Sequence, residues 1–261
     1  MAAAVLILAF SSSSPAALFD HSGLDGVLHH YVDDEGLVDY AGIRQNGLTS
    51  LESYFERVAD TDFAGWPVTE KLAFWINVYN ARVLYWVAQK PGMKKISEDL
   101  EMFNRPFKVA GKMLSLNDIE HRILRGTINK DNKKGPIAGL SFEKVDPRIH
   151  FALVRGALGS PPLRAFAYTA ENVDESLDSD ASAFANSYKF VGADHGQLQL
   201  SILLKWYAED FKSVGGVRPY LISLISERHR EDAEAVKQLL STPNQKTQYQ
   251  FDWTVNAQKK Y

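Results

Sequence analysis

The chain has 261 residues, 45% of them hydrophobic and 23% charged, the balance of a globular fold long enough to bury its own core. Its 29 Lys and Arg against 32 Asp and Glu leave a formal charge of −3, so the composition offers no nucleic-acid surface. There is no cysteine, which excludes disulfides, thiolate zinc sites, iron–sulfur clusters and a thiol nucleophile.

Ala2 to Phe10 is an unbroken apolar run, followed by Ser11 to Ser14 and Pro15-Ala16-Ala17. An apolar stretch running into small residues has the pattern of a secretory leader, with cleavage fitting after Ala16 or Ala17, although no Lys or Arg precedes it. The run is too short to span a bilayer, and no later segment reads as a membrane span. The expected organisation is a signal peptide over 1–17 and a single domain over 18–261, in a protein that is secreted or periplasmic. Leu24 to Val32 and Leu48 to Val58 have helical apolar spacing. Pro67 to Gln89 opens with Pro in the first turn and is apolar nearly all round from Leu72 to Val87, which predicts a central buried helix. Phe107 to Leu114, broken by Ala110-Gly111, reads as a hairpin. Asn117-Asp118 caps a short helix carrying Ile119, Ile123 and Leu124. Asn129 to Gly135 is a polar connector, and Asp146-Pro147 opens a predicted helix over Arg148 to Leu158. Further helices are expected from Val173 to Tyr188, Leu203 to Phe211, Val217 to Ser226 and Glu231 to Leu240. Tyr188 to Val191 with Gln197 to Leu200 reads as a second hairpin, and Tyr249, Phe251, Trp253 and Val255 alternate as a half-buried strand. The class is α+β, a helix-rich single domain with a small antiparallel sheet.

Three stretches could carry chemistry. In DPRIHFALVRGALGSPPLR, His150 lies in the first turn of a capped helix, and Pro161 and Pro162 hold Ser160 in a rigid, non-helical position. A rigid loop suits a nucleophile, although the same residues also make an ordinary helix stop and turn; the segment is not a G-x-S-x-G elbow. In LNDIEHRILR, Glu120 and His121 flank the buried face, but adjacent helical residues point about 100° apart, so Glu120 does not orient His121 directly. In FWINVYNA, Asn77 and Asn80 share one helix face, and two buried amides must either pin loops or line a polar pocket or oxyanion site. No H-E-x-x-H, P-loop or G-x-G-x-x-G occurs, and a metal set from Glu120, His121, Asp146 and His150 has no diagnostic spacing, so no metal and no cofactor is expected.

Together these stretches resemble the domain-of-unknown-function 547 family. The resemblance rests on FWINVYNA at 74–81, LNDIEHRILR at 116–125, DPRIHFALV at 146–154 and GSPPLR at 159–164, with fainter agreement at Lys205-Trp206-Tyr207, Asp210-Phe211 and Phe251-Asp252-Trp253. It implies a family of bacterial, often exported proteins and of modules in larger plant and animal proteins, with no established activity. The family pattern carries a cysteine where this chain has Ser160, and commonly a second where it has Arg155. That cysteine, with histidines matched by His121 and His150, invites comparison with papain-like or transglutaminase-like thiol hydrolases.

Three functions stay open at this point. The first is a hydrolase or acyl transferase with Ser160 as nucleophile, His121 or His150 as base, and Glu120 beside them. The second is a non-catalytic secreted module binding a small-molecule, peptide or glycan ligand through Asn77, Asn80, Arg148 and aromatic residues. The third is purely structural, with Asp146 as a cap and Arg125, Arg148 and Arg164 paired with buried acids.

Overall fold

The computed structural model describes residues 19–126, 137 and 139–259. The expected leader over 1–17 and the connector Asn129 to Gly135 lie outside them. The helices are α1 (Ser22–Tyr31), α2 (Tyr40–Gly42), α3 (Leu48–Ala59), α4 (Val68–Ala88), α5 (Val173–Asn186), α6 (Leu203–Trp206), α7 (Val217–Leu224) and α8 (Ala233–Ser241). The strands are β1 (Phe107–Val109), β2 (Lys112–Leu114), β3 (Val191–Asp194), β4 (Gln197–Ser201) and β5 (Thr247–Gln250). The fold is therefore helix-rich α+β with small antiparallel pairings, as its sequence pattern implies.

The first core is organised by α4. Pro67 stands at its N-cap with extended ψ of 156°, and Glu70 lies in its first turn. From Glu70 to Ala88 only Lys71, Arg82 and Tyr85 reach solvent, so this helix is covered on every side. It packs on α3 and α5, and Phe63, Phe74 and Trp75 join at its N-terminal end with ring centroids 5.0–5.3 Å apart. A second core fills the space between α5, α7, α8 and the three-stranded sheet, built from Phe184, Phe190, Leu198, Phe211, Leu221 and Val236.

In that sheet β3 and β4 form an antiparallel hairpin, with Val191 opposite Leu200, but its first strand is Val191–Asp194 rather than the expected Tyr188 to Val191. The strand expected over Tyr249 to Val255 starts and stops earlier, as β5 (Thr247–Gln250), which joins on the other side of β4 and runs parallel, with Leu198 opposite Thr247 and Ser201 opposite Gln250. Beyond Gln250 the chain leaves the sheet and runs against residues 156–159. Leu158 N–H donates to Thr254 (2.7 Å), Gly159 N–H to Asp252 (2.7 Å) and Asn256 N–H to Gly156 (3.0 Å).

The helix expected over Arg148 to Leu158 is one turn of 3-10 helix, Pro147–Phe151, followed by irregular chain. The reason lies on α4. The Asn80 amide takes the Ala152 carbonyl (2.9 Å) and the Val154 N–H (2.9 Å), groups that a continuing helix would use. Gly156, at φ 73°, then turns the chain the other way. The short helix expected after Asn117-Asp118 is Asp118–Leu124, wound as a π-helix; Asn117 makes no cap bond, and the Ser115 hydroxyl takes the Asp118 N–H instead (3.1 Å), while Ile96–Phe103 adds a 3-10 segment that apolar periodicity alone does not signal. Tyr188, expected on the inner face of α5, lies beyond its end and is exposed.

Gly159 sits where the two segments approach most closely. A Cβ there would stand 2.6 Å from the Asp252 amide nitrogen and 2.9 Å from the Phe251 ring. Gly159→Ala is expected to cost about 2 kcal/mol through overpacking. Urea unfolding monitored by circular dichroism checks this, and an unchanged midpoint would contradict the close packing.

Candidate functional site

The candidate residues come from four pieces of chain: α4, the Asp118–Leu124 turn, the Pro147–Phe151 turn with the loop after it, and the α6 region. At their meeting point lies Glu120, 1% exposed. The Arg155 guanidinium donates to both of its oxygens, from Nη2 at 2.6 and 2.7 Å. Tyr79 donates its hydroxyl to Oε2 at 3.2 Å, and Tyr207 donates to Oε1 while accepting from Arg155. The carboxylate is thus satisfied by one cation and two phenols, as a buried charge requires.

A second charge pair adjoins the first. Asp210, on the 3-10 turn Ala208–Val214, receives the Arg125 guanidinium at 2.5 and 2.9 Å. It also accepts a hydrogen bond from His150 Nε2 at 2.8 Å. The Tyr207 ring joins the two pairs. His150 stacks on it with centroids 3.9 Å apart and planes 12° apart, and the Arg125 guanidinium carbon lies 4.9 Å from its centre.

The hydrogen bonds also assign the tautomers. A carboxylate can only accept, so His150 carries its proton on Nε2, toward Asp210. Arginine can only donate, so His121 Nδ1 accepts from Arg125 Nη1 at 3.0 Å and the His121 proton is on Nε2. Burial lowers the pKa of both imidazoles, with Asp210 and Glu120 pulling the other way. Burial pushes the Glu120 carboxyl up, but Arg155, His121, Tyr207 and His150 outweigh it and hold it at about 2. Asp210 stands at about 2 because His150 and Arg125 overcome its burial in the same way. The state that results is two carboxylates, two guanidiniums and two neutral imidazoles.

The other expected site residues stand apart from this cluster or serve the chain itself. Ser160 is 3% exposed, and its Oγ accepts the Arg155 N–H at 3.0 Å, closing the loop between them. It forms no hydrogen bond with His121 or His150. Asn77 donates to the Tyr168 carbonyl (2.8 Å) and accepts its N–H (3.0 Å), as Asn80 does for Ala152 and Val154. Each amide is a pin that fixes a loop onto α4. Arg148 is held by Asp146 (2.6 Å), Asp174 (2.9 Å) and Asp178 (2.8 Å), which ties the 3-10 turn to α5. Arg164 pairs with Asp180 at 2.8 Å. Among the described residues, no group of three or more His, Cys, Asp or Glu converges as a metal-ligand set would.

Arg125 pairs with a buried acid, as the structural reading expects, whereas Arg155, Tyr79, Tyr207 and Asp210 are the members of the cluster that reading for nucleophiles and bases passes over. Tyr207 and Asp210 are far from Glu120 in sequence, and only the faint family agreement around Lys205–Phe211 points to them. Arg155 stands at a position where the family resemblance implies a cysteine, and that substitution is its one signal in the sequence.

Acid should weaken the fold in two steps. His150 and His121 titrate below the ordinary imidazole value of 6.5 when folded, so the unfolded chain binds more protons as pH drops through that value. Stability present above about pH 6.5 is then lost on acidification. The buried His21, held at about 4 mainly by desolvation, acts in the same window. Glu120 and Asp210, depressed to about 2, hold their contribution until the pH falls below the unfolded carboxyl range, and lose it from there down. Melting temperature against pH is expected to fall between pH 7.5 and 5, with a shallower slope in His150→Gln. A flat profile over that range in the unmodified chain would contradict the neutral buried imidazoles.

Residues 63–185 match the family model described as Protein of unknown function, DUF547. The match takes in α4, Glu120, His121, His150, Arg155 and Ser160, and stops short of Tyr207 and Asp210. No curated protein and no solved structure matches the chain. Over residues 63–185 the chain belongs to the DUF547 family of proteins of unknown function.

Proposed function

We propose that the protein is an exported, non-catalytic ligand-binding domain in which the reactive position of a thiol-hydrolase-like site has been given over to structure. The observation that carries this reading is the hydroxyl of Ser160. It is buried, it accepts the amide of its own loop at Arg155, and it has neither imidazole as a hydrogen-bond partner. A serine works as a nucleophile only when an adjacent base takes its proton, and a hydroxyl is a far poorer case than a thiol. The two histidines are committed elsewhere, His150 to Asp210 and His121 to Arg125.

Position 155 supports the same reading. Where the family resemblance implies a cysteine, this chain puts a guanidinium that neutralises Glu120. The cluster then holds two positive and two negative charges and no nucleophile. Export rests on the apolar run Ala2 to Phe10 followed by small residues. None of the helices in the described residues is long and apolar enough to cross a membrane. The ligand is a small molecule, peptide or glycan, and Asn77, Asn80 and Arg148 act behind the site, holding its loops, rather than on the ligand.

Ser160→Cys tests the loss of catalysis without needing a substrate, since it introduces the only thiol in the chain. Its alkylation rate against pH is expected to give a thiol pKa at or above the free value of about 8.5, because the site is buried and offers no cation or base partner. A pKa several units lower would restore Ser160 as an activated nucleophile and return the hydrolase or acyl transferase reading to first place.

A further inference from the structure

We infer that the ligand is a neutral saccharide, held where the Ser-Pro-Pro loop, β3–β4 and the closing segment meet. This inference rests on the ligand-binding reading above and names its ligand class and its place. The first observation is a cavity of about 320 Å³ lined by Gly159, Lys189, Phe190, Gln250, Phe251 and Asp252. That is at the small end of the range for ligand pockets, and its walls are the usual mixture of aromatic surface and a few polar groups. Its floor is rigid, because Gly159 is bonded to Asp252 and leaves no room for a side chain there.

The second observation is the aromatic surface that leads out of it. Phe251, in the cavity wall, lies 4.6 Å from the Trp253 ring and 5.6 Å from the Trp206 ring, centroid to centroid. Trp206 is 44% exposed, which leaves a large aromatic surface open to solvent beside the cavity. The C–H faces of a pyranose ring carry slight positive charge and the faces of aromatic rings slight negative charge, so the two stack.

The third observation is the polar pair. Lys189 and Asp252 both line the cavity without a salt bridge between them, with Glu35 also acting on Lys189 and Lys95 on Asp252, so charges of both signs balance around it. Asp252 spends Oδ1 on the Thr254 N–H at 2.9 Å. One donor-only cation and one acceptor-only anion, set apart across a cavity, match adjacent hydroxyl groups, each of which both donates and accepts. The pair has no net charge, which suits a neutral sugar better than an anionic or cationic one. A bound peptide strand is disfavoured, since the free edge of β5 is only four residues, Thr247–Gln250, before the chain turns away to residues 156–159.

Calorimetric titration of the full chain with hexasaccharides of β-1,4-linked glucose, β-1,4-linked N-acetylglucosamine and α-1,4-linked glucose tests the inference. At least one is expected to bind saturably. Trp206→Ala and Asp252→Asn are each expected to weaken it by about tenfold or more, with Lys108→Ala unchanged and circular dichroism showing all three folded. Chromatography of the sugar afterwards separates the two claims. Intact sugar supports both, whereas bound and shortened sugar keeps the saccharide site and overturns the non-catalytic reading. No binding at millimolar sugar, binding that ignores both variants, or saturable binding of an extended peptide in its place would overturn the saccharide site and leave the Ser160→Cys result standing.

Discussion

A carboxylate removed from water must be given a counter-charge, and in this fold that carboxylate is Glu120. It stands at 1% exposure in the middle of the chain's most polar interior. An unpaired charge at such depth costs several kcal/mol even after the protein relaxes around it. Arg155, Tyr79 and Tyr207 meet that demand, and each comes from a different part of the chain. The Glu120 pairing therefore decides how the Asp118–Leu124 turn, the loop after Phe151, α4 and the α6 region sit against one another. Asp210, Arg125 and His150 repeat the arrangement one layer out, with the Tyr207 ring common to both.

Around that interior the amides of Asn77 and Asn80 do the positioning. Each occupies both hydrogen-bonding edges with the backbone of a loop, so α4 carries two loops at fixed height. One of these loops is the segment that becomes the Ser-Pro-Pro turn. Because it cannot continue as a helix, it is free to pair with residues 252–256, and that pairing builds the cavity at Gly159. The same bonds that end a helix thus create a ligand-sized recess on the far side.

Local patterns in the sequence carried much of the architecture. The apolar circumference of α4, the Ala110-Gly111 turn and the helical spacing in α1, α3, α5 and α8 all have short-range causes, and each element forms close to its expected bounds. What they could not carry depends on partners distant in sequence. Asn80 overrides the helix after Asp146 from more than seventy residues away, and Tyr207 and Arg155 reach Glu120 from places where the helices expected over Leu203 to Phe211 and Arg148 to Leu158 are interrupted. The closing strand was only partly legible: alternation placed it over Tyr249 to Val255, whereas β5 is Thr247–Gln250, and its parallel pairing with β4 depends on a neighbour that no local pattern names. The candidate site was half legible for the same reason. Glu120, His121, His150 and Ser160 stand out by residue type, whereas the partner that each one takes is a tertiary fact.

The central claim is that Arg155 serves Glu120 as its structural counter-ion, and a double-mutant cycle measures it most directly. Glu120→Gln and Arg155→Met would be compared singly and together by urea unfolding. Each single change is expected to cost about 3–5 kcal/mol, because it strands the other charge in the interior. The double variant should recover much of that loss, giving a coupling of about 2 kcal/mol or more. Additive losses, with coupling within about 0.5 kcal/mol of zero, would mean that the two charges are not each other's partners and would contradict the account.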